Sequence, residues 1–251
     1  MNSFGHTRTT VRRTHALIAP DSHVVAPLPG WENTRGVVHI SPTMGAGFTQ
    51  YTALLDRGAT AGPPTDGVER FIYMLDGVAT LETGDGNVNM REGSFAFVPA
   101  DHRAQRFVAT GPGRALVFEK RFVAAEGVEP CRLVRGHESE VAAAPFMGDP
   151  DAQLKLLLPD TPDFDMAINI FTYNPGAMLP QVECHVMEHG LLMLQGMGVY
   201  RLDDRWYPVT AGDIIWMAPF CPQWFIAGGK TPSRYIYYKD VNRSALRGVL
   251  A

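Results

Sequence analysis

From about residue 70 the chain alternates short apolar or β-branched runs with turn residues. Phe71–Leu75 runs into Asp76-Gly77, Val78–Glu82 into Gly84-Asp85-Gly86, and Ser94–Val98 stops at Pro99. Runs this short, punctuated by Gly, Asp and Pro, predict antiparallel strands joined by hairpins. Helical periodicity is scarce. The same series then returns at an offset of 119 residues: Arg70–Gly77 aligns with His189–Gly196, and Glu92–Pro99 with Ala211–Pro219, with one residue inserted before the second proline. Each copy ends in an alternating strand, Ala115–Arg121 and Arg234–Asp240. One offset shared by separated segments marks an internal duplication. The pattern predicts an all-β chain of two tandem barrels with few short helices. The expected parts are an N-terminal arm or flexible tail (residues 1–25), a first barrel (26–124), a linker where Gly, Pro and Ala thicken (125–150) and a second barrel (151–251).

Composition narrows the function. With 45% hydrophobic and 19% charged residues, 251 residues describe a soluble globular protein able to bury a large core. Twenty-two basic against 26 acidic residues give a net charge of −4, without a basic block. No nucleic-acid groove or anionic membrane partner is therefore expected, and a small molecule is. Three cysteines at wide spacing, Cys131, Cys184 and Cys221, argue against a disulfide framework. No apolar run approaches a signal core or a bilayer span, and a cytoplasmic protein is expected.

The chemistry concentrates in Glu183-Cys184-His185-Val186-Met187-Glu188-His189. Read as a strand, this segment projects Glu183, His185 and His189 to one side and Cys184 and Glu188 to the other, leaving Glu188 outward or in solvent. Gln223 arrives from a distant strand. Two imidazoles, a carboxylate and an amide oxygen form a metal site that favours Mn²⁺ or Fe²⁺ over structural Zn²⁺. In the first copy the equivalent positions hold Pro64, Asp66, Arg70 and Ala104. A guanidinium has no lone pair to offer, so the first barrel is expected to be metal-free.

Two ligands two residues apart, a third four further on, a closing Gly196, then Gly212-Asp213 with a ligand eleven residues after that glycine, is similar to the two-part signature of the cupins. The resemblance implies two double-stranded β-helix (jelly-roll) barrels, a bicupin. The usual ligands are His, His, Glu and His, and Ala218 and Phe220 displace the second motif's proline and glycine. Glu-x-His-x-x-x-His with a later Gln resembles one branch, the (S)-ureidoglycine aminohydrolases. The likeness extends to Pro29–Thr34, Lys120-Arg121, Phe164–Met166 and Tyr235–Asp240 with Asn242-Arg243.

That resemblance implies a metal-dependent hydrolase of allantoin and purine catabolism that converts (S)-ureidoglycine to (S)-ureidoglycolate and ammonia. It selects Mn²⁺ over Fe²⁺, with Glu183, His185, His189 and Gln223 as ligands. Tyr200, Tyr235, Lys239 and Glu183 would contact substrate, and Glu183, Tyr235 and Lys239 would serve catalysis. A homo-oligomer, at least a dimer, is implied. Two other classes stay open: an Fe²⁺-dependent cupin dioxygenase, and a binding or storage bicupin without turnover.

Overall fold

The computed structural model describes residues 6–84, 86–102 and 105–243. Among them the regular structure is β-strand, with three single 3₁₀ turns, two of them opened by Pro20 and Pro42, and no α-helix. Among the described residues no helix is long and apolar enough to cross a membrane. The chain divides into two compact units: residues 24–141 with 161–163, and the remaining segments before, between and after these.

In the first unit the 14-residue strand Phe48–Ala61 is the spine. It pairs along its length with Trp31–Ile40, with Gly113–Arg121 and with Gln105–Ala109. Val68–Asp76 lies between Gly113–Arg121 and Ser94–Val98. Inward residues such as Trp31, Tyr51, Ile72, Met74, Leu81, Phe107 and Val117 form one buried cluster. Alternation supplies them, because successive side chains in a strand face opposite sides.

The second unit sets an eight-stranded sheet beside a three-stranded one. The larger sheet runs, in spatial order, through His15–Ile18, Ile214–Met217, His189–Gln195, Ser233–Asp240, Met166–Tyr173 and Asp149–Leu156. The smaller comprises Arg205–Thr210, Met197–Leu202 and Gln223–Gly228. Their buried cluster includes Phe171, Tyr173, Leu191, Met193, Tyr200, Phe225 and Tyr235.

The duplication is visible in the backbone. Gly77 and Gly196 have φ of +81° and +77°, and a Cβ at either would lie 2.7 Å from a carbonyl oxygen, of Pro112 or Pro232. Only glycine takes both the conformation and the close approach. The register also refines the alignment of the last strands. His189 stands opposite Lys239, whereas Arg70 stands opposite Glu119. The inserted residue before Pro219 moves the offset to 120 there, so Glu119, not Lys120, is the counterpart of Lys239. Ala104 lies outside the described residues.

Two expected boundaries differ from the observed division. The described part of residues 1–25 is no free tail: His15–Ile18 pairs with Ile214–Met217, and Arg8 grips the buried Asp213 carboxylate with two 2.7 Å hydrogen bonds. Nor is 125–150 only a linker, since Val134–His137 pairs with Ser94–Val98 and Ala144–Phe146 with Asp149–Leu156. The physical reason is the same in both units. Each sheet has an open edge at this strand, and pairing satisfies its backbone N–H and C=O groups.

Candidate active site

The segment that carries the motif is not a continuous strand. It runs beside Gln223–Gly228 with isolated bridges at Met178 and Glu183. Pro180, which lacks an N–H, sits between them and interrupts the ladder. Glu183 and Gln223 exchange backbone hydrogen bonds of 2.8 and 2.9 Å, so their side chains leave the pair on one face. His185 lies in irregular chain, anchored by its carbonyl oxygen accepting from the Phe220 N–H at 2.7 Å. Phe220, where the motif carries glycine, takes φ +62°. That left-handed conformation costs a non-glycine residue about 1 kcal/mol, which the bond to His185 helps to offset. His189 opens the strand His189–Gln195.

The four expected ligands do converge on one cavity of about 260 Å³ in the second unit. His185 Nε2 lies 3.3 Å from His189 Nε2 and 3.0 Å from the Gln223 amide nitrogen, and the two imidazoles meet edge to face. The His189 tautomer follows from its neighbour. His189 Nδ1 faces the Tyr238 carbonyl oxygen at 3.3 Å and donates to it, which leaves a lone pair on Nε2. His185 Nδ1 is buried and has no hydrogen-bond partner among the described residues, and Nε2 is the atom this ring turns toward His189 and Gln223. The two Nε2 atoms thus face each other at 3.3 Å.

A shared cation would take a lone pair from each nitrogen, and the spacing suits it. Two nitrogens about 2.1 Å from one ion, at roughly 90–105°, stand about 3.0–3.3 Å apart. Among the described residues no three of His, Cys, Asp or Glu form a ready cluster. The donor set instead comprises two imidazoles, the Gln223 carboxamide, whose oxygen a flip turns inward, and the half-buried Glu183 beside them. These residues fit a hard divalent ion. Burial of His189 pushes its pKa well below the usual imidazole range, with His185 and Lys239 adding to the effect, so the ring is neutral and ready to ligate.

Lys239, on Ser233–Asp240, shares the cavity with Tyr235 and Tyr237 by alternation. Burial raises the Glu183 pKa, and the nearby His185 and Lys239 charges partly restore it. Tyr200 and Tyr235 are 2% and 3% exposed, and desolvation raises the pKa of both phenols, as it does for Tyr237. All three are therefore neutral hydrogen-bonding groups, not acids or bases, at ordinary pH.

Several residues that line the cavity or support its lining had escaped the sequence. Met166–Tyr173 pairs with Ser233–Asp240, which places Asn169 opposite Tyr237 and Phe171 opposite Tyr235. Asn169 Nδ2 donates to the Tyr237 hydroxyl at 3.1 Å, and Phe171 stacks on the Tyr237 ring with centroids 5.6 Å apart. Tyr173 and Tyr235 hydroxyls meet at 3.2 Å. The alternation Asn169, Phe171, Tyr173 was a signal for an inward face. Leu179, Met187 and Met217 complete an apolar wall. Glu188 points away from the site but is buried rather than solvated, accepting from Trp216 Nε1 at 3.3 Å.

In the first unit the place of His189 is taken by Arg70, 4% exposed, whose Nε donates to Glu119 at 2.7 Å. Glu119 also accepts from Tyr51, which in turn accepts from Trp31. An ion pair thus occupies the position equivalent to His189 and Lys239.

Comparison with known proteins agrees with this geometry. A family model described as "Cupin domain" matches residues 169–238. The probable (S)-ureidoglycine aminohydrolase of Oryza sativa subsp. japonica is 42% identical over 245 residues, covering 96% of this chain and 78% of that protein. The (S)-ureidoglycine aminohydrolase of Arabidopsis thaliana is 41% identical over 246 residues, covering 96% and 80%. The crystal structure of protein Ylba from E. coli superposes with a TM-score of 0.84 at 31% identity, covering 96% of this chain and 97% of that one. With the likeness running through both barrels, the chain belongs to the (S)-ureidoglycine aminohydrolase family of the cupins.

Proposed function

We propose that the chain hydrolyses (S)-ureidoglycine to (S)-ureidoglycolate and ammonia, with Mn²⁺ held by Glu183, His185, His189 and Gln223. The observation that carries this reading is the convergence of those four side chains and Lys239 on one small cavity. When bound, the ion supplies a Lewis acid that anchors the substrate and polarises it.

The remaining work falls to side chains. The carbon that reacts bears an amine, a ureido nitrogen and a carboxylate, so departure of the amine is electronically easy and positioning dominates. Lys239 pairs its ammonium with the substrate carboxylate, which justifies a half-buried cation in this place. The neutral phenols of Tyr200 and Tyr235 hydrogen-bond the ureido group and fix the face open to water. Phe171 and the Tyr237 ring wall the other side. Glu183, its pKa raised by burial, takes a proton from the incoming water and returns one to the leaving amine, so that water and substrate become ureidoglycolate and ammonia. In the first barrel the Arg70–Glu119 pair offers no ligand set, and that barrel is metal-free in this reading.

The test is ammonia release from enzymatically generated ureidoglycine, with Mn²⁺ and after chelation. Turnover should exceed the spontaneous rate only with metal present. Glu183→Ala should lose both bound manganese and activity. A metal-loaded, fully active Glu183→Ala protein would sink the assignment, and oxygen consumption with bound iron would replace it with an oxygenase.

A further inference from the structure

The first barrel also has a cavity, of about 460 Å³, and Arg70 lines it as His189 lines the one in the second barrel. Its chemistry differs. Among its described lining residues the ionisable groups are Arg70, Lys120, Arg121 and Glu119, three cations against one carboxylate in a protein of net charge −4. Glu119 is already engaged by Arg70 at 2.7 Å and by Tyr51 at 3.2 Å. Arg70 spends Nε on Glu119 and Nη1 on the Gly62 carbonyl oxygen at 2.7 Å, and its Nη2 has no hydrogen bond among the described residues. Arg121 is exposed, yet a Cβ added at Gly67 would lie 3.4 Å from its Nη1, which places the guanidinium along that turn. The turn itself is tied down by the Phe122 N–H donating to Gly67 O at 2.9 Å. Four prolines among the lining residues make the walls stiff.

We propose that this cavity is a second ligand site, separate from the metal site, that binds a small carboxylate. Partly enclosed cations focus a positive potential that the rest of the surface lacks. Guanidinium groups match a planar carboxylate with paired hydrogen bonds. Phe48 and Val68 give an organic body an apolar face. Inorganic phosphate would meet the same cations but leave that apolar face uncovered.

Calorimetric titration of the manganese-loaded protein with succinate, inorganic phosphate and neutral succinamide tests this. Succinate should bind once per chain, more weakly as salt rises, and succinamide should give no heat. Arg121→Gln and Lys120→Gln should each weaken succinate by about tenfold or more while ureidoglycine turnover is unchanged. Lys239→Met should leave succinate binding intact. The proposal is overturned if succinate does not bind, if phosphate binds and succinate does not, or if Lys239→Met abolishes binding that Arg121→Gln leaves untouched.

Discussion

Replacing Tyr235 by Phe removes one oxygen and separates packing from substrate contact. The ring keeps its neighbours: Phe171, Phe225, Tyr237 and Tyr173, with centroids 5.5, 5.6, 5.8 and 5.9 Å away. Apolar burial is therefore nearly unchanged. What is lost is the 3.2 Å contact with the Tyr173 hydroxyl, a group that is itself fully buried. A buried hydroxyl left unpaired costs about 1–2 kcal/mol, which for a chain of this size lowers Tm by roughly 3–6 °C. If the hydroxyl also holds the ureido group, kcat/KM should fall a further 10- to 100-fold, equivalent to about 1.4–2.8 kcal/mol. Thermal unfolding and metal-dependent ammonia release are read on the same preparation. Because the Tyr235 and Tyr200 phenols are coupled, the double variant with Tyr200→Phe should lose less than the sum of the two. A lowered Tm with kcat/KM within twofold of wild type would refute the substrate role and leave Tyr235 as a packing residue.

Lys239→Met keeps the length of the stem and deletes the charge. KM should rise about 10- to 100-fold, with a smaller change in kcat and an unaltered Tm, as loss of one charge-assisted contact predicts; an unchanged KM in steady-state assays counts against carboxylate pairing. His15 is buried between Thr14 and the Tyr207 hydroxyl, and desolvation lowers its pKa below the usual 6.5, with Arg12 adding to this and Asp203 opposing it. The unfolded chain therefore binds its proton first, and His15 lowers stability as pH falls below about 6.5, by at most about 1.4 kcal/mol per pH unit. Urea midpoints of wild type and His15→Asn should accordingly converge between pH 7.5 and 5.5, and a constant gap would contradict the shift. In Gly196→Ala the new Cβ would meet Ser233 Oγ at 2.6 Å and Pro232 O at 2.7 Å with φ at +77°, so a loss of roughly 3 kcal/mol or more is expected by calorimetry.

What the sequence disclosed and what it withheld divide along the reach of periodicity. Alternation is local, so Tyr235, Tyr237 and Lys239 could be placed on one face before any pairing was known, and the repeat fixed the two-barrel plan. The site's other wall depends on which strand lies next door. Phe171 joins the cavity, and Asn169 reaches the Tyr237 hydroxyl, only because Met166–Tyr173 pairs with Ser233–Asp240 in this register, and no count of residues along the chain specifies a partner. The motif segment shows the opposite failure. Its spacing reads as a strand, yet Pro180 breaks the ladder and Phe220 enters a left-handed turn to hold His185, so the same four side chains converge by a different route. One shift of register has the largest consequence. The single residue inserted before Pro219 sets Lys239 opposite His189, where its counterpart Glu119 stands opposite Arg70. In one barrel that position leaves an ammonium facing a neutral imidazole and an open cavity; in the other a carboxylate neutralises a guanidinium and closes the position to a cation. The two copies therefore differ less in fold than in the charges that one position on the last strand brings to the mouth of each barrel.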